Sequence, residues 1–258
     1  MQTSHLPAIY PSLSDRVILV TGGASGIGAA IVEAFARQSA SVMFLDVQDE
    51  AARSLQEKIE AEYGKAPLYY RCDLTDTDSL QATIAMVVET FERIDVLVNN
   101  AGNDTRHSIE SVTPESWDRC MAINLKQQFF ACQAVIPKMR EARRGSIINM
   151  SSISWTIPST GLPVYVTAKA AIMGMTRTLA HELGGDNIRV NCIMPGAILT
   201  NRQKELWFTP EYEAEVLRSQ ALKRLITPDE VANLALFLAS DASAAITNQS
   251  FVIDAGWT

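Results

Sequence analysis

The chain has 258 residues, of which 47% are apolar and 20% are charged, and its formal net charge is -7. This is the composition of a globular protein, so disordered and fibrous classes are excluded. Nucleic acids and anionic membranes are bound by basic surfaces, so the acidic balance argues against both as partners. Four widely separated cysteines and three histidines argue against disulfides and against a bound metal.

Targeting signals are also not expected. No run of apolar residues approaches the ~18 that a membrane-spanning helix needs. Residues 1–16 lack the basic start and the apolar stretch of a signal peptide. These patterns predict a soluble cytoplasmic protein.

Short apolar runs alternate with helical patterns along the whole chain. Seven runs predict strands, at residues 17–20, 41–46, 68–72, 96–99, 146–150, 189–193 and 251–253. Periodic apolar residues predict helices over 49–59 and 80–91, and two prolines open further helices over 114–139 and 228–238. Strands that are apolar on both faces suit a parallel sheet covered by helices on either side. The pattern predicts an α/β fold with one domain over residues 1–258, a doubly wound (Rossmann) seven-stranded parallel sheet.

A glycine-rich turn directly follows the first predicted strand. Gly22, Gly26 and Gly28 allow a tight turn whose backbone approaches a pyrophosphate at the start of the next helix. The spacing differs from the usual dinucleotide fingerprint, and a plain strand–helix turn is the less favoured alternative for the glycines alone. Asp46 ends the second strand, where a carboxylate accepts hydrogen bonds from the 2′-hydroxyl of NAD and repels the 2′-phosphate of NADP. Together these residues predict NAD as the cofactor.

Polar residues follow the next two strands as well. Asp73 comes just past the third strand and could accept a hydrogen bond from an adenine amino group. Asn100, Ala101 and Gly102 follow the fourth strand and would lie beside the cofactor ribose. Each of these residues is also common in ordinary turns, so their order along the chain carries more information than any one of them.

Four residues form a candidate catalytic group. Tyr165 and Lys169 are four positions apart, which puts a phenol and an ammonium on one helix face, where the ammonium could stabilise a phenolate. Such a pair occurs often by chance and is then solvated. Ser152 ends the fifth strand and could hold the oxygen of a substrate that Tyr165 deprotonates. Asn124 lies within the long fourth helix, where asparagine is not a favoured residue. A buried side-chain amide that is linked through a water to Lys169 would explain why an asparagine is there.

These motifs stand in the order typical of the short-chain dehydrogenase/reductase family, which the chain resembles over essentially its whole length. The resemblance implies hydride transfer between a nicotinamide and an alcohol or carbonyl, with Asn124, Ser152, Tyr165 and Lys169 as catalytic residues. The cofactor residues it implies are Gly22, Ser25, Gly26, Ile27, Gly28, Asp46, Asp73, Leu74, Asn100, Ala101, Gly102, Tyr165, Lys169, Pro195, Gly196, Ile198 and Thr200. It also implies a homotetramer, and leaves open whether the C-terminal Trp257 packs across an interface or closes a neighbour's pocket.

The substrate pocket is expected from three segments, residues 103–107, 154–160 and a lid over 198–221. The expected substrate contacts are Asn103, Asp104, Arg106, Ser152, Trp155, Tyr165, Arg202 and Trp207. Mixed donors, acceptors and indoles suit a polyhydroxylated ligand, whereas an acyl or steroid site would need an apolar lid. Each residue is also compatible with a solvated loop position, and Trp207 with a merely structural place in the lid.

Segments outside the catalytic core carry a closer resemblance. Residues 8–13, 99–107, 152–155, 207–211 and 253–257 are similar to bacterial aldose 1-dehydrogenases of the D-xylose dehydrogenase type. This implies oxidation of a pyranose at C1 to the aldonolactone with reduction of NAD⁺. An alternative substrate is a polyol, a keto-deoxy sugar acid or a hydroxy acid. The carboxylate of either acid would meet Arg106 or Arg202. A non-catalytic NAD-binding regulator is disfavoured because Tyr165 and Lys169 are both present.

Overall fold

Seven parallel strands form one sheet in the computed structural model, which describes residues 8–258. Residues 1–7, which belong to the segment where no signal peptide is expected, lie outside the described residues. The strands are β1 (Val17–Thr21), β2 (Ser41–Asp46), β3 (Leu68–Arg71), β4 (Val96–Asn99), β5 (Gly145–Met150), β6 (Ile188–Pro195) and β7 (Ser250–Ile253). Their order is β3-β2-β1-β4-β5-β6-β7, and every adjacent pair is parallel. The predicted α/β fold with a doubly wound seven-stranded sheet is confirmed.

Helices cover both faces of the sheet. They are α1 (Gly26–Arg37), α2 (Asp49–Tyr63), α3 (Thr77–Phe91), α4 (Pro114–Met121), α5 (Gln127–Ala142), α6 (Pro163–Leu183), α7 (Asn201–Leu206), α8 (Pro210–Ser219) and α9 (Pro228–Ala239). None of the helices within residues 8–258 is long and apolar enough to cross a membrane. The helix predicted over 114–139 is interrupted: a π-helical turn, Ala122–Lys126, separates α4 from α5. Helix α7 was not predicted.

The strand residues alternate between two hydrophobic clusters. Ile18 and Val20 of β1 point to the face covered by α1, α2 and α9, and Val17 and Leu19 point to the face covered by α3, α5 and α6. All four side chains are buried. Because both faces of a central strand are covered, its sequence is an uninterrupted apolar run, and this is why β1 could be predicted from sequence.

The strand order reverses beside β1, since β2 and β4 pair with its two sides. Open α/β sheets form a crevice at such a point, beyond the carboxyl ends of the strands. Here a cleft of about 1510 Å³ lies over the ends of the strands. The loops that follow the strands line it, and they carry most of the residues predicted to be functional.

Candidate active site

The glycine turn between β1 and α1 leaves room for main chain only. Gly22 has a φ of +65°, and a Cβ built on it would lie 2.8 Å from the Cα of Ala101. A Cβ on Gly28 would overlap the carbonyl oxygen of Gly22. These contacts bring the N-terminus of α1 to the surface of the cleft, where backbone N–H groups favour a phosphate.

The loop after β4 is hydrogen-bonded to the glycine turn. Asn100 Nδ2 donates to the carbonyl oxygens of Thr21 (3.1 Å) and Gly22 (2.9 Å). In return Thr21 Oγ1 accepts from the backbone N–H groups of Asn100 (3.1 Å) and Ala101 (3.2 Å). The Asn100 amide therefore holds two loops together, so its amide nitrogen is engaged by the protein itself.

Asp46 is held in place at the end of β2. Its Oδ2 accepts from Ala24 N (2.9 Å), and its Oδ1 accepts from Val47 N (2.7 Å) and Gln48 N (3.1 Å). Asp46 is only 6% exposed, yet it borders the cleft. A carboxylate so tightly bound to main-chain donors presents a negative charge at one place on the cleft wall.

Asp73 stands on the same wall but is held differently. Its carboxylate accepts from Thr75 N (3.0 Å) and Thr75 Oγ1 (2.7 Å). These hydrogen bonds hold the pKa of Asp73 below its ordinary value. The carboxylate is thus ionised at neutral pH and exposed at the mouth of the cleft.

Every residue predicted to contact the cofactor lines this one cleft. Its volume exceeds the ~300–1,000 Å³ of an ordinary small-molecule pocket. The glycine cradle and the buried Asp46 are the features that a pyrophosphate and an adenosine ribose require. The residues present therefore fit a nicotinamide dinucleotide, while the individual contacts stay predictions.

Tyr165 and Lys169 lie side by side in the first turns of α6. Lys169 Nζ is 5.5 Å from the centre of the Tyr165 ring and donates to the carbonyl oxygen of Met150 (2.9 Å). Lys169 is 2% exposed, and this burial lowers its pKa to about 8. An ammonium held in a dry site is a strong local source of positive charge below that pH.

The groups of the protein itself raise the pKa of Tyr165 above its ordinary value. Burial disfavours the phenolate most, and the Asp104 carboxylate repels it further. Hydrogen bonding with Ser152 and the charge of Arg106 act in the other direction but do not compensate. The phenol therefore stays protonated at neutral pH under the influence of the protein's own groups.

Ser152 and Asn124 complete the predicted group, but only Ser152 borders the cleft. Ser152 Oγ accepts from Ser154 N (3.1 Å), which fixes it at the start of a short turn after β5. Asn124 is fully buried in the π-helical turn. Its Oδ1 accepts from Asn103 N (2.9 Å), and its Nδ2 donates to the carbonyl oxygens of Asn103 (3.0 Å) and Cys120 (3.0 Å). Asn124 thus holds the loop that begins the substrate side.

Gly102 shows how Asn124 and Lys169 are related. A Cβ on Gly102 would lie 3.1 Å from Asn124 Oδ1 and 3.2 Å from Lys169 Nζ. The two side chains therefore approach the same backbone position from different helices. A larger residue at 102 would press against both.

Four side chains that we call the latch meet on the side of the cleft where the substrate is expected: Asn103 and Asp104 on one side, Arg202 and Gln203 on the other. Asp104 Oδ2 accepts from Gln203 Nε2 (2.6 Å), and its Oδ1 lies 3.5 Å from Arg202 Nε. Asn103 Oδ1 accepts from Arg202 Nη2 (3.2 Å). The segment predicted as a lid therefore contacts the predicted pocket wall through polar groups.

Two predicted substrate contacts do not border the cleft. Trp155 packs against a hydrophobic cluster that includes Ile153 and Met194. Trp207 lies beneath Arg106, whose guanidinium carbon is 5.3 Å from the ring centre, and it is likewise absent from the cleft wall. The other expected substrate contacts, Asn103, Asp104, Arg106, Ser152, Tyr165 and Arg202, all line the cleft.

Two further residues border the cleft: Trp257, for which the sequence left open an interface or a neighbour's pocket, and Tyr212, to which sequence reasoning assigned no role. Trp257 was noticed as part of the C-terminal resemblance, but its sequence position does not show which pocket it faces. Tyr212 lies in α8, and burial raises its pKa. Tyr212 follows a proline at the start of a polar helix, and no sequence pattern there indicates a functional residue.

The family model described as enoyl-(acyl carrier protein) reductase matches residues 22–258. A protein of Rhizobium meliloti named "Probable galactose dehydrogenase" is 49% identical over 247 residues, 96% of each chain. D-xylose 1-dehydrogenase of Caulobacter vibrioides is 48% identical over 97% of this chain and 98% of its own. D-threitol dehydrogenase of Mycolicibacterium smegmatis is 40% identical over 95% of this chain and 94% of its own.

The fold comparison agrees with the sequence comparison. A short-chain type dehydrogenase/reductase of Mycobacterium ulcerans superposes with a TM-score of 0.90 at 29% identity, covering 95% of this chain and 90% of that one. The chain belongs to the short-chain dehydrogenase/reductase family.

Proposed function

We propose that this protein is an NAD-dependent sugar dehydrogenase that oxidises C1 of a pyranose aldose to the aldonolactone. Family membership itself makes it an oxidoreductase that acts on a CH–OH group of a small molecule with a nicotinamide nucleotide. The observation that carries the finer proposal is the polar latch beside Tyr165. Relatives named for galactose and D-xylose support the same substrate class.

The charges near Tyr165 favour a neutral substrate. Asp104 is close enough to raise the pKa of Tyr165, so a second carboxylate in the pocket would meet repulsion. Arg202 already pairs with Asp104, and the Arg106 guanidinium lies over the Trp207 ring. Within the described residues both candidate arginines are thus engaged, which disfavours a sugar acid or hydroxy acid and favours hydroxyl groups.

A polyol is the second candidate substrate. It presents the same hydroxyl chemistry to Asn103, Asp104 and Arg202, and the relative named D-threitol dehydrogenase favours it. The two candidates differ in the product, because only oxidation at the ring carbon C1 yields a lactone. Product analysis therefore separates them.

The chemistry follows from the placement of Ser152, Tyr165 and Lys169. When bound, NAD⁺ supplies the hydride acceptor and a positive charge on its ring. Tyr165 Oη accepts the proton of the C1 hydroxyl while Ser152 Oγ orients the oxygen that becomes the lactone carbonyl. Because burial raises the pKa of Tyr165, the phenolate that accepts this proton would need the positive charges of both the Lys169 ammonium and the oxidised nicotinamide ring.

The choice of NAD over NADP is assigned to Asp46. Its carboxylate is fixed by three backbone N–H groups and cannot turn away from a 2′-phosphate. Val47 and Gln48 follow it, where an arginine would be needed to hold that phosphate. A buried carboxylate facing a phosphate dianion is repulsive, whereas a ribose 2′-hydroxyl can donate to it.

We assign the quaternary structure of the family, a homotetramer, to this chain as well. Trp117 on α4 and Phe129 on α5 are exposed apolar side chains, as is Val252 on β7. In the family, the fourth helix, predicted here over 114–139, forms one interface with the fifth helix, and the last helix and strand form another, so all three side chains lie on elements that the resemblance places at interfaces. Light scattering of the purified protein tests this assignment.

The test is a panel of aldoses, polyols and hydroxy acids with NAD⁺, read as NADH absorbance. We expect one or a few aldoses to be oxidised, and hydroxylamine to trap a lactone before free acid appears. Deoxy analogues should react poorly, because their missing hydroxyls leave buried polar groups of the pocket unpaired. Activity confined to carboxylated substrates, or a product oxidised at another carbon, would overturn the aldose proposal and leave the dehydrogenase assignment standing.

A further inference from the structure

The C-terminal tail, residues 254–258, lies against the catalytic side of its own chain. Trp257 lines the cleft and is half-buried. Its ring packs against the hydrophobic cluster that contains Ile153 and Met194. Ile153 directly follows Ser152, and Met194 precedes the Pro195–Gly196 turn, so this cluster lies under the reacting end of the cleft.

Asp254 holds the tail in this position. Its Oδ1 accepts from Gly256 N (2.8 Å), and its Oδ2 accepts from Thr258 N (2.8 Å) and Thr258 Oγ1 (2.9 Å). The side chain is 5% exposed. A Cβ on Gly196 would lie 2.8 Å from the Asp254 Cβ, so the tail packs directly on the turn that follows β6.

The tail is also hydrogen-bonded to the end of the lid segment. Ala221 N donates to the Gly256 carbonyl oxygen (3.1 Å), and Leu222 N donates to that of Ala255 (2.9 Å). Gly256 has a φ of +78°, and a Cβ on it would lie 2.8 Å from the Ala221 Cβ. Only a glycine fits this close approach without strain. The position of Trp257 is therefore set by main-chain contacts on two sides.

Trp155 offers a direct comparison. Both tryptophans pack against the same hydrophobic cluster, but only Trp257 borders the cleft. The latch residues Asp104 and Arg202 supply polar groups to that cleft, and sites of this kind combine a few polar groups with an aromatic surface. A large rigid ring contributes contact area at a low entropic cost.

We propose that Trp257 is a specificity-determining residue that packs against the C–H face of the substrate in the pocket of its own subunit. The proposal rests on the proposed function, because an aromatic ring opposite side chains that bind hydroxyl groups fits a polyhydroxylated substrate, which has both C–H faces and hydroxyl groups. It assigns the tail to the substrate site, with Asp254 and Gly256 as residues that position it.

The test compares Trp257→Ala and Trp257→Phe with Trp155→Ala, using the best alcohol substrate from the panel. We expect Trp257→Ala to raise the KM for that substrate about tenfold or more, with the smaller ring of Trp257→Phe giving a lesser rise. The KM for NAD⁺ and the Kd for NADH should change less than about twofold, a ratio worth under 0.5 kcal/mol. Trp155→Ala should lower the Tm and leave the substrate KM nearly unchanged.

A second variant keeps the test decisive if Trp257→Ala folds poorly. Gly256→Ala retains the tryptophan but displaces the tail from Ala221, so it should raise the substrate KM and leave NADH binding unchanged. An unchanged substrate KM in both Trp257→Phe and Gly256→Ala would overturn the proposal. It would also be overturned if replacing Trp257 changed only the oligomeric state of the protein. Failure of the aldose proposal is a different outcome, seen as a different best substrate of the wild type.

Discussion

The two halves of the cleft are built from different parts of the chain. On the cofactor side, the Asn100 and Asp46 side chains hydrogen-bond to main-chain groups of the glycine turn, and the turn itself packs closely on Ala101. On the substrate side, Asp104 and Arg202 meet through side chains, and Arg202 is 48% exposed. Main-chain contacts leave few alternative arrangements, whereas exposed side-chain contacts can open and re-form. The cofactor side is thus suited to one constant ligand, and the substrate side to admitting and releasing another.

The largest effect is expected at Tyr165, where the two halves meet. Tyr165→Phe removes only the proton-accepting oxygen, so kcat should fall by about 10³-fold. The Kd for NADH, measured by fluorescence, should stay within about threefold, since the ring still fills its place. A kcat within tenfold of the wild type would mean that another group accepts the proton.

The next effect compares one glycine from each half. Gly28→Ala forces a Cβ into the Gly22 carbonyl oxygen and should cost about 1–3 kcal/mol of the free energy of unfolding, with weaker NADH binding. Gly161, at a φ of +70°, has open space around its Cβ position, so Gly161→Ala should cost only about 1 kcal/mol of backbone strain. Urea unfolding measures both variants. Equal costs would show that the two halves do not differ in packing.

Asp46 should decide which dinucleotide is used. We expect kcat/KM to favour NAD over NADP at least tenfold, or about 1.4 kcal/mol. Asp46→Asn removes the charge and should shrink that ratio, while the control Asp73→Asn, at the mouth of the same wall, should leave it unchanged. Equal kcat/KM values for the two cofactors in the wild type would contradict this role.

The smallest effect is expected from the latch. A double-mutant cycle of Asp104→Asn and Arg202→Met, measured on the KM of the best substrate, should give a coupling of about 0.2–1 kcal/mol. The coupling should decrease between low and high salt because Arg202 is largely exposed. A salt-independent coupling above about 2 kcal/mol would mean that the substrate side is as firmly held as the cofactor side.

Several local features could not be read from the sequence. The helix opened by Pro114 was predicted to run to residue 139, yet a π-helical turn interrupts it at Ala122–Lys126, and Asn124 in that turn bonds to the backbone of Asn103. That contact joins positions 21 residues apart, and no local pattern reports it. The sequence also does not show that burial and the Asp104 carboxylate raise the pKa of Tyr165. Burial depth depends on how α6, the latch and the loops pack together.

The sequence by itself determined the strands, the parallel order of the sheet and the set of residues along the cofactor cleft. This follows because buried parallel strands need continuous apolar runs, and because glycine turns and carboxylates at strand ends act through nearby main chain. The tertiary structure alone decided which tryptophan borders the substrate side. Trp155 and Trp257 are 102 positions apart, and only the hydrogen bonds from the tail to Asp254 and to the end of the lid segment bring Trp257 to the cleft.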